Sequence, residues 1–137
     1  MGRRIYENGN FVWKYVFACQ PSEQHRIYDE FNIGEFEFDE EYPDWDYLTL
    51  NIKDIPALQN ILNNIKNFEE AKKVHEDFWS KYKNGAPFDL CKEMENEAKS
   101  ICPDLYFGMM IENMVKYMNE SHEEDKEKTM FYFEGEL

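Results

Sequence analysis

Two hydrophobic periods divide this sequence, and the point where one gives way to the other constrains the fold more than any other feature. Up to residue 52, apolar and polar residues tend to alternate, as in strands that show one face to a core. From Asp54 to about Asn119 they recur at three- and four-residue steps, the spacing of amphipathic helices. At Thr129–Glu134, with Met130, Phe131, Tyr132 and Phe133, strand composition returns. Strands, then helices, then a closing strand imply an α+β fold. A small, mostly antiparallel sheet of N-terminal strands plus the C-terminal strand should pack against about four helices. No repeat and no Ser/Gly-rich linker interrupts the 137 residues. The expectation is one domain, 1–137, with a β-rich part at 1–52, a helical part at 53–120 and a returning strand at 129–135.

Within the first part, residues 4–18 read as a β-hairpin. Asn8-Gly9 supplies the two residues tolerant of positive φ that a type I′ turn requires. In the second arm, Phe11, Trp13, Tyr15 and Phe17 fall on one face by the two-residue period, and Gln20-Pro21-Ser22 ends it. A short strand is expected around Gln24–Tyr28 and a turn at Asn32–Gly34. Glu35-Phe36-Glu37-Phe38-Asp39 alternates strictly, with two phenylalanines inward and three acids outward. Glu40–Asp44 is a loop, and Trp45–Ile52 is a strand with Leu48, Leu50 and Ile52 on one face.

Helices begin at Asp54, an N-cap residue followed by Pro56 in the first turn. Ile55, Leu58, Ile61, Leu62 and Ile65 form the first apolar stripe. Phe68, Ala71, Val74, His75, Phe78, Trp79 and Tyr82 form the second. Asn84-Gly85 ends that helix, and Pro87 opens another carrying Phe88, Cys91, Met94, Ala98 and Ile101, which Pro103 stops. A fourth helix, from Asp104 to about Asn119, is apolar on more than one side and should be the most buried. Glu120–Lys128 reads as a charged connection.

Charge restricts the partners. Fifteen Lys and Arg against 29 Asp and Glu give a net charge of −14, which repels phosphate backbones and anionic lipid. Nine of those carboxylates lie between Asp29 and Asp46, where no Lys or Arg occurs: Asp29, Glu30, Glu35, Glu37, Asp39, Glu40, Glu41, Asp44 and Asp46. Seven aromatic residues are threaded among them, from Tyr28 to Tyr47. Such a run suits a basic protein partner. An ordinary solvated strand face is the simpler reading of the same residues, but mutual repulsion among so many like charges destabilises a fold.

Other chemistries find little purchase. The acids could offer oxygen ligands to Ca²⁺ or Mg²⁺, but the EF-hand pattern is absent and no glycine lies between Gly34 and Gly85. No metal or other cofactor is therefore expected. His25, His75 and His122 form no paired ligand spacing, and His75 fits a packed, hydrogen-bonded role. No GxSxG, GxxxxGK[ST] or GxGxxG sequence occurs. The aromatic stripe beginning at Phe11 could stack bases, yet lacks the basic flanks that base-stacking sheets carry. Three cysteines, Cys19, Cys91 and Cys102, show no CxxC spacing and fit reduced thiols. The start has no apolar core of a signal peptide and no stretch reaches membrane-span length, so a cytoplasmic protein is expected.

These observations point to a small, acidic, non-catalytic protein that inhibits a basic, nucleic-acid-handling protein. A phage anti-defence (anti-CRISPR-like) protein, a DNA mimic or a toxin-immunity protein would have this character. The expected contact residues are Glu35, Glu37, Asp39, Glu40, Glu41, Asp44 and Asp46, with Tyr42 and Trp45 as aromatic anchors. The alternative is a ligand-binding or enzymatic domain with a pocket between sheet and helices, using Tyr15, His75 and Glu112. A solid core there would count against it. A structural subunit that self-associates through the Met-rich fourth helix is a third reading.

Overall fold

A computed structural model describes residues 3–14, 23–42 and 44–136. Tyr15 and Phe17 of the expected stripe, Cys19, the Gln20-Pro21-Ser22 break and Pro43 lie outside the described residues. The chain is an α+β fold. A five-stranded antiparallel sheet is built from β1 (Arg4–Glu7), β2 (Asn10–Lys14), β3 (Glu35–Phe38), β4 (Trp45–Asn51) and β5 (Met130–Glu136), in the spatial order β2-β1-β5-β4-β3. Five α-helices occur among the described residues: α1 (His25–Phe31), α2 (Ile55–Asn63), α3 (Phe68–Lys81), α4 (Phe88–Ile101) and α5 (Leu105–Glu124). The closing strand inserts at the centre of the sheet, between β1 and β4, so the two ends of the chain meet there.

The β1–β2 turn is the expected one, with Asn8 and Gly9 both at positive φ. The expected single face of the second arm is not observed. A bulge lies where Ile5 pairs with Trp13 but Tyr6 pairs with Phe11, leaving Val12 as an extra residue. The alternation therefore slips: Trp13 turns into the core and Phe11 is exposed.

The strand expected around Gln24–Tyr28 is instead helix α1. Its sequence favours the helix locally: Ile27 and Phe31 sit one turn apart, Arg26 pairs with Glu30 at the same spacing, and Asn32 ends the helix in a left-handed conformation. Gly34, at φ +77°, then admits β3. A Cβ there would lie 2.5 Å from the backbone oxygen of Thr49, so only glycine fits.

Asp54 stands at the N-cap of α2 as expected, with Pro56 in the first turn, but its side chain makes no cap bond to that helix. It belongs to a 3₁₀ turn, Ile52–Asp54, and bonds back to the Asn51 amide at 2.7 Å while the Asn51 side chain accepts from Lys53 at 2.9 Å. α5 runs to Glu124, past the expected end near Asn119, because much of the charged stretch continues the helix. It is the most buried of the described helices, as its sequence implied: Leu105, Phe107, Met110, Ile111, Met114 and Met118 are all buried.

The helical layer covers one face of the sheet. Ile5, Leu48, Leu50, Phe131 and Phe133 are fully buried there, in one core cluster with Leu58, Leu105, Phe107, Met110 and Ile111. The opposite face stays open, and residues of alternate register stand on it in half-buried or exposed positions.

Candidate functional site

Strand register brings acids and aromatic rings together on the open face. One row crosses the whole sheet as Glu37, Tyr47, Glu134, Tyr6 and Phe11. A neighbouring row holds Glu35, Thr49 and Tyr132, and on the other side Trp45 pairs with Glu136. The Tyr6 ring lies 6.3 Å from both Phe11 and Trp45. Tyr132 and Phe11 are each 58% exposed, so these rings are accessible.

The nine expected contact residues do not share one environment. Glu35 and Glu37 stand exposed on β3, and Glu40, Glu41, Tyr42 and Asp44 are exposed in the β3–β4 connection. Trp45 is half-buried on the open face. Asp39 is structural as well as superficial. Its Oδ1 accepts the Glu41 and Tyr42 amides at 2.9 and 3.0 Å, and its Oδ2 accepts the Tyr47 hydroxyl at 2.6 Å. Those bonds, the tyrosine's foremost, hold the Asp39 carboxyl below the usual carboxylate range. The same bond pushes the Tyr47 phenol up to about 12, and the charges of Glu134 and Glu37 add to the effect.

Asp46 leaves the set. It occupies the covered face with Leu48 and Leu50 and is fully buried, so it cannot belong to an exposed contact surface. The Gln24 amide donates to its Oδ1 at 2.5 Å, while its Oδ2 has no hydrogen-bond partner among the described residues. Burial pushes its pKa up to about 6, against the opposing pull of Gln24 and His25. The two-residue period of 46, 48 and 50 carried this placement, and the acidic run masked it.

Phe38 also departs from expectation, being 62% exposed rather than inward. Phe36 opposite Leu48 is flanked by the rings of His25 and Tyr28 from α1, whereas Phe38, opposite Asp46, packs edge-on against Phe36 at 5.0 Å. β3 thus ends beyond its helical cover, and Tyr28, Phe38 and Tyr42 present exposed rings along the acidic edge.

Of the nine carboxylates from Asp29 to Asp46, only Glu30 forms an ion pair among the described residues, with Arg26. Asp29, Glu35, Glu37, Glu40, Glu41 and Asp44 make none among the described residues. Sequence reasoning missed Tyr6, Tyr132, Glu134 and Glu136 as neighbours of this surface. The alternation in β5 assigns the last three to one face, but only the long-range pairing of β5 sets them beside Tyr47 and Trp45.

Of the residues of the pocket alternative, Tyr15 lies outside the described residues, and His75 and Glu112 are not gathered. His75 is buried beside Tyr106, whose hydroxyl is 3.4 Å from Nδ1, and burial lowers its pKa. It borders a shallow groove with Glu76, Trp79, Ser80 and Lys83. Glu112 borders a different depression, with Gln59, Leu62, Asn63 and Val115, and pairs with Lys72 at 2.9 Å. Cys91 and Cys102 are buried free thiols. Among the described residues no group of three or more His, Cys, Asp or Glu could hold a metal ion, and no helix is long and apolar enough to cross a membrane. No protein-family model matches this chain, no curated protein matches it, and no solved structure matches it.

Proposed function

We propose that this protein is a small acidic, non-catalytic binding protein that inhibits a basic, nucleic-acid-handling protein. The contact surface is the acidic and aromatic edge formed by β3, the β3–β4 connection and the adjoining rows of the open sheet face. One observation carries the reading: six exposed carboxylates of the run have no ion pair among the described residues, and exposed rings of Tyr28, Phe38 and Tyr42 stand among them. Unbalanced charge attracts a cationic surface over long range and sets the association rate, while rings buried on contact slow release. A phage anti-defence protein or DNA mimic would work this way, as would the immunity partner of a cationic nuclease toxin, each in the cytoplasm of a bacterial or infected cell. The filled core between sheet and helices supports this reading over a pocket there.

Affinity capture from bacterial lysate at low and moderate salt tests it, with the retained proteins identified by mass spectrometry. Wild type should retain a basic nucleic-acid-handling protein, less of it at higher salt. The variant with Glu35, Glu37, Glu40 and Glu41 all changed to Ser should lose it. Equal retention by the variant, or nothing retained by wild type at either salt, overturns the proposal.

A further inference from the structure

Among the described residues β3 is an edge strand, paired on one side only, with β4. The Asp39 amide donates to the Trp45 carbonyl, which extends the ladder and fixes its phase. Residues 37 and 35 then bond inward to β4, while the N–H and C=O groups of Phe36 and Phe38 point outward. No described residue hydrogen-bonds those outward groups. Along this edge Glu35 and Glu37 stand on the open face, and exposed Phe38 lies on the other side near Tyr28.

We propose that β3 accepts an extended segment of the basic partner as a sixth strand. That segment alternates Lys or Arg with apolar residues. Main-chain bonds to Phe36 and Phe38 supply the pairing, as in other strand additions. The period of two then selects the sequence: basic side chains fall opposite Glu35 and Glu37, and apolar ones cover Phe38 and Tyr28. A second copy of this chain is a poor occupant. Pairing two β3 edges would bring Glu35 and Glu37 of both copies together, and directly opposed like charges are destabilising. The same acids that refuse self-pairing admit a cationic strand.

This inference rests on the proposed acidic contact surface and adds its geometry. The probe is a short, blocked, fluorescently labelled peptide of alternating lysine and valine, titrated by anisotropy at low salt. Two controls accompany it: a peptide of the same composition with lysines and valines in separate blocks, and an alternating peptide N-methylated at every second amide. Phe38→Pro is the informative variant, because it removes an outward N–H without taking a bond from the β3–β4 ladder. Saturable binding of the alternating peptide is expected, weakened at least about tenfold by Phe38→Pro, by block ordering and by one of the two N-methylation registers. Amide exchange at Phe36 and Phe38 of wild type should slow when peptide is bound, a readout that needs no variant.

No binding of the alternating peptide, equal binding of the block peptide, or unchanged exchange at Phe36 and Phe38 overturns the inference. Dimerisation of the chain through this edge, abolished by Phe38→Pro, overturns it also. The captured partner separates the two levels. If Phe38→Pro retains it and the four-serine variant loses it, the acidic surface stands and strand addition falls. If both variants retain it, both proposals fall.

Discussion

The chain has two strongly acidic stretches, and the fold treats them in opposite ways. Residues 120–128 hold five acids and two lysines, and local structure absorbs much of that charge. Glu123 pairs with Lys126 at 2.8 Å, Asp125 Oδ1 accepts the Glu127 amide at 3.1 Å, and the first five residues continue α5. Lys128 then reaches Glu7, buried on β1, at 2.6 Å. Residues 29–46 hold nine acids and no cation of their own; Arg26 pairs with Glu30 of that run, and its other partners, Glu23 and Asp104, lie outside it. In the first stretch charge completes the fold; in the second most of it is surplus to the fold. Composition alone is a poor guide to which of these an acidic run will be.

The difference can be broken most forcefully at Glu7. Its Oε1 accepts from Tyr117 at 2.7 Å and from Lys128, and its Oε2 accepts the Tyr132 amide at 3.1 Å, so a single carboxylate joins β1, α5 and β5. Glu7→Ala should cost about 3 kcal/mol or more, since it strands those donors around an emptied site. Denaturant unfolding measures it. Glu7→Gln should cost less, by keeping two of the bonds.

Gly34→Ala comes next. It forces a side chain into a positive-φ position and against the Thr49 carbonyl, at a cost of about 2 kcal/mol or more. Its damage should fall first on β3. Faster amide exchange there, with β1 and β5 still protected, would sharpen the contrast between an acidic edge hung on one strand and an acidic helix end tied into the core.

Asp46 gives a pH-dependent test of the same contrast. Glu7 is buried with three donors, whereas Asp46 has the Gln24 amide and an Oδ2 with no partner among the described residues. Its pKa, about 6 in the fold, lies above the ordinary value near 4, so the folded state binds the proton more tightly. Stability should therefore rise as pH falls from about 7 to about 4, by about 2 to 3 kcal/mol for this group. Asp46→Asn should flatten that rise and add about 1 kcal/mol at neutral pH. A slope unchanged in the variant would assign it to other groups.

How legible all this was in the sequence depended on range. The Asn8-Gly9 turn, the alternation of β4 and most of the apolar helical stripes are local patterns that appear where their spacing put them, whereas Phe38 on β3 and Phe88 on α4 are exposed. α1 was missed because seven residues carry little periodic signal, although Ile27, Phe31, Arg26–Glu30 and Asn32 all spoke for a helix. The face swap at Phe11 follows from a single bulge residue, Val12, which no alternation rule marks. Glu35, Glu37, Glu40 and Glu41 were readable as exposed acids. The assembly around them was not, because the neighbours Tyr6, Glu134 and Glu136 come from opposite ends of the chain and meet only through the insertion of β5. Asp46 is the instructive error: its own alternation with Leu48 and Leu50 pointed inward, and charge was read ahead of period.

The central claim is that the fold has no use for the exposed carboxylates Glu35, Glu37, Glu40 and Glu41 of the acidic edge. Thermal unfolding of wild type and of the variant with Glu35, Glu37, Glu40 and Glu41 changed to Ser, compared across ionic strength, tests it most directly. Asp39 stays unchanged, because it holds Tyr47 and the turn amides. The variant should melt at or above wild type at low salt, with the gap closing as salt screens the repulsion. A variant that melts well below wild type at every salt concentration would mean that these acids support the fold, and the account would be wrong.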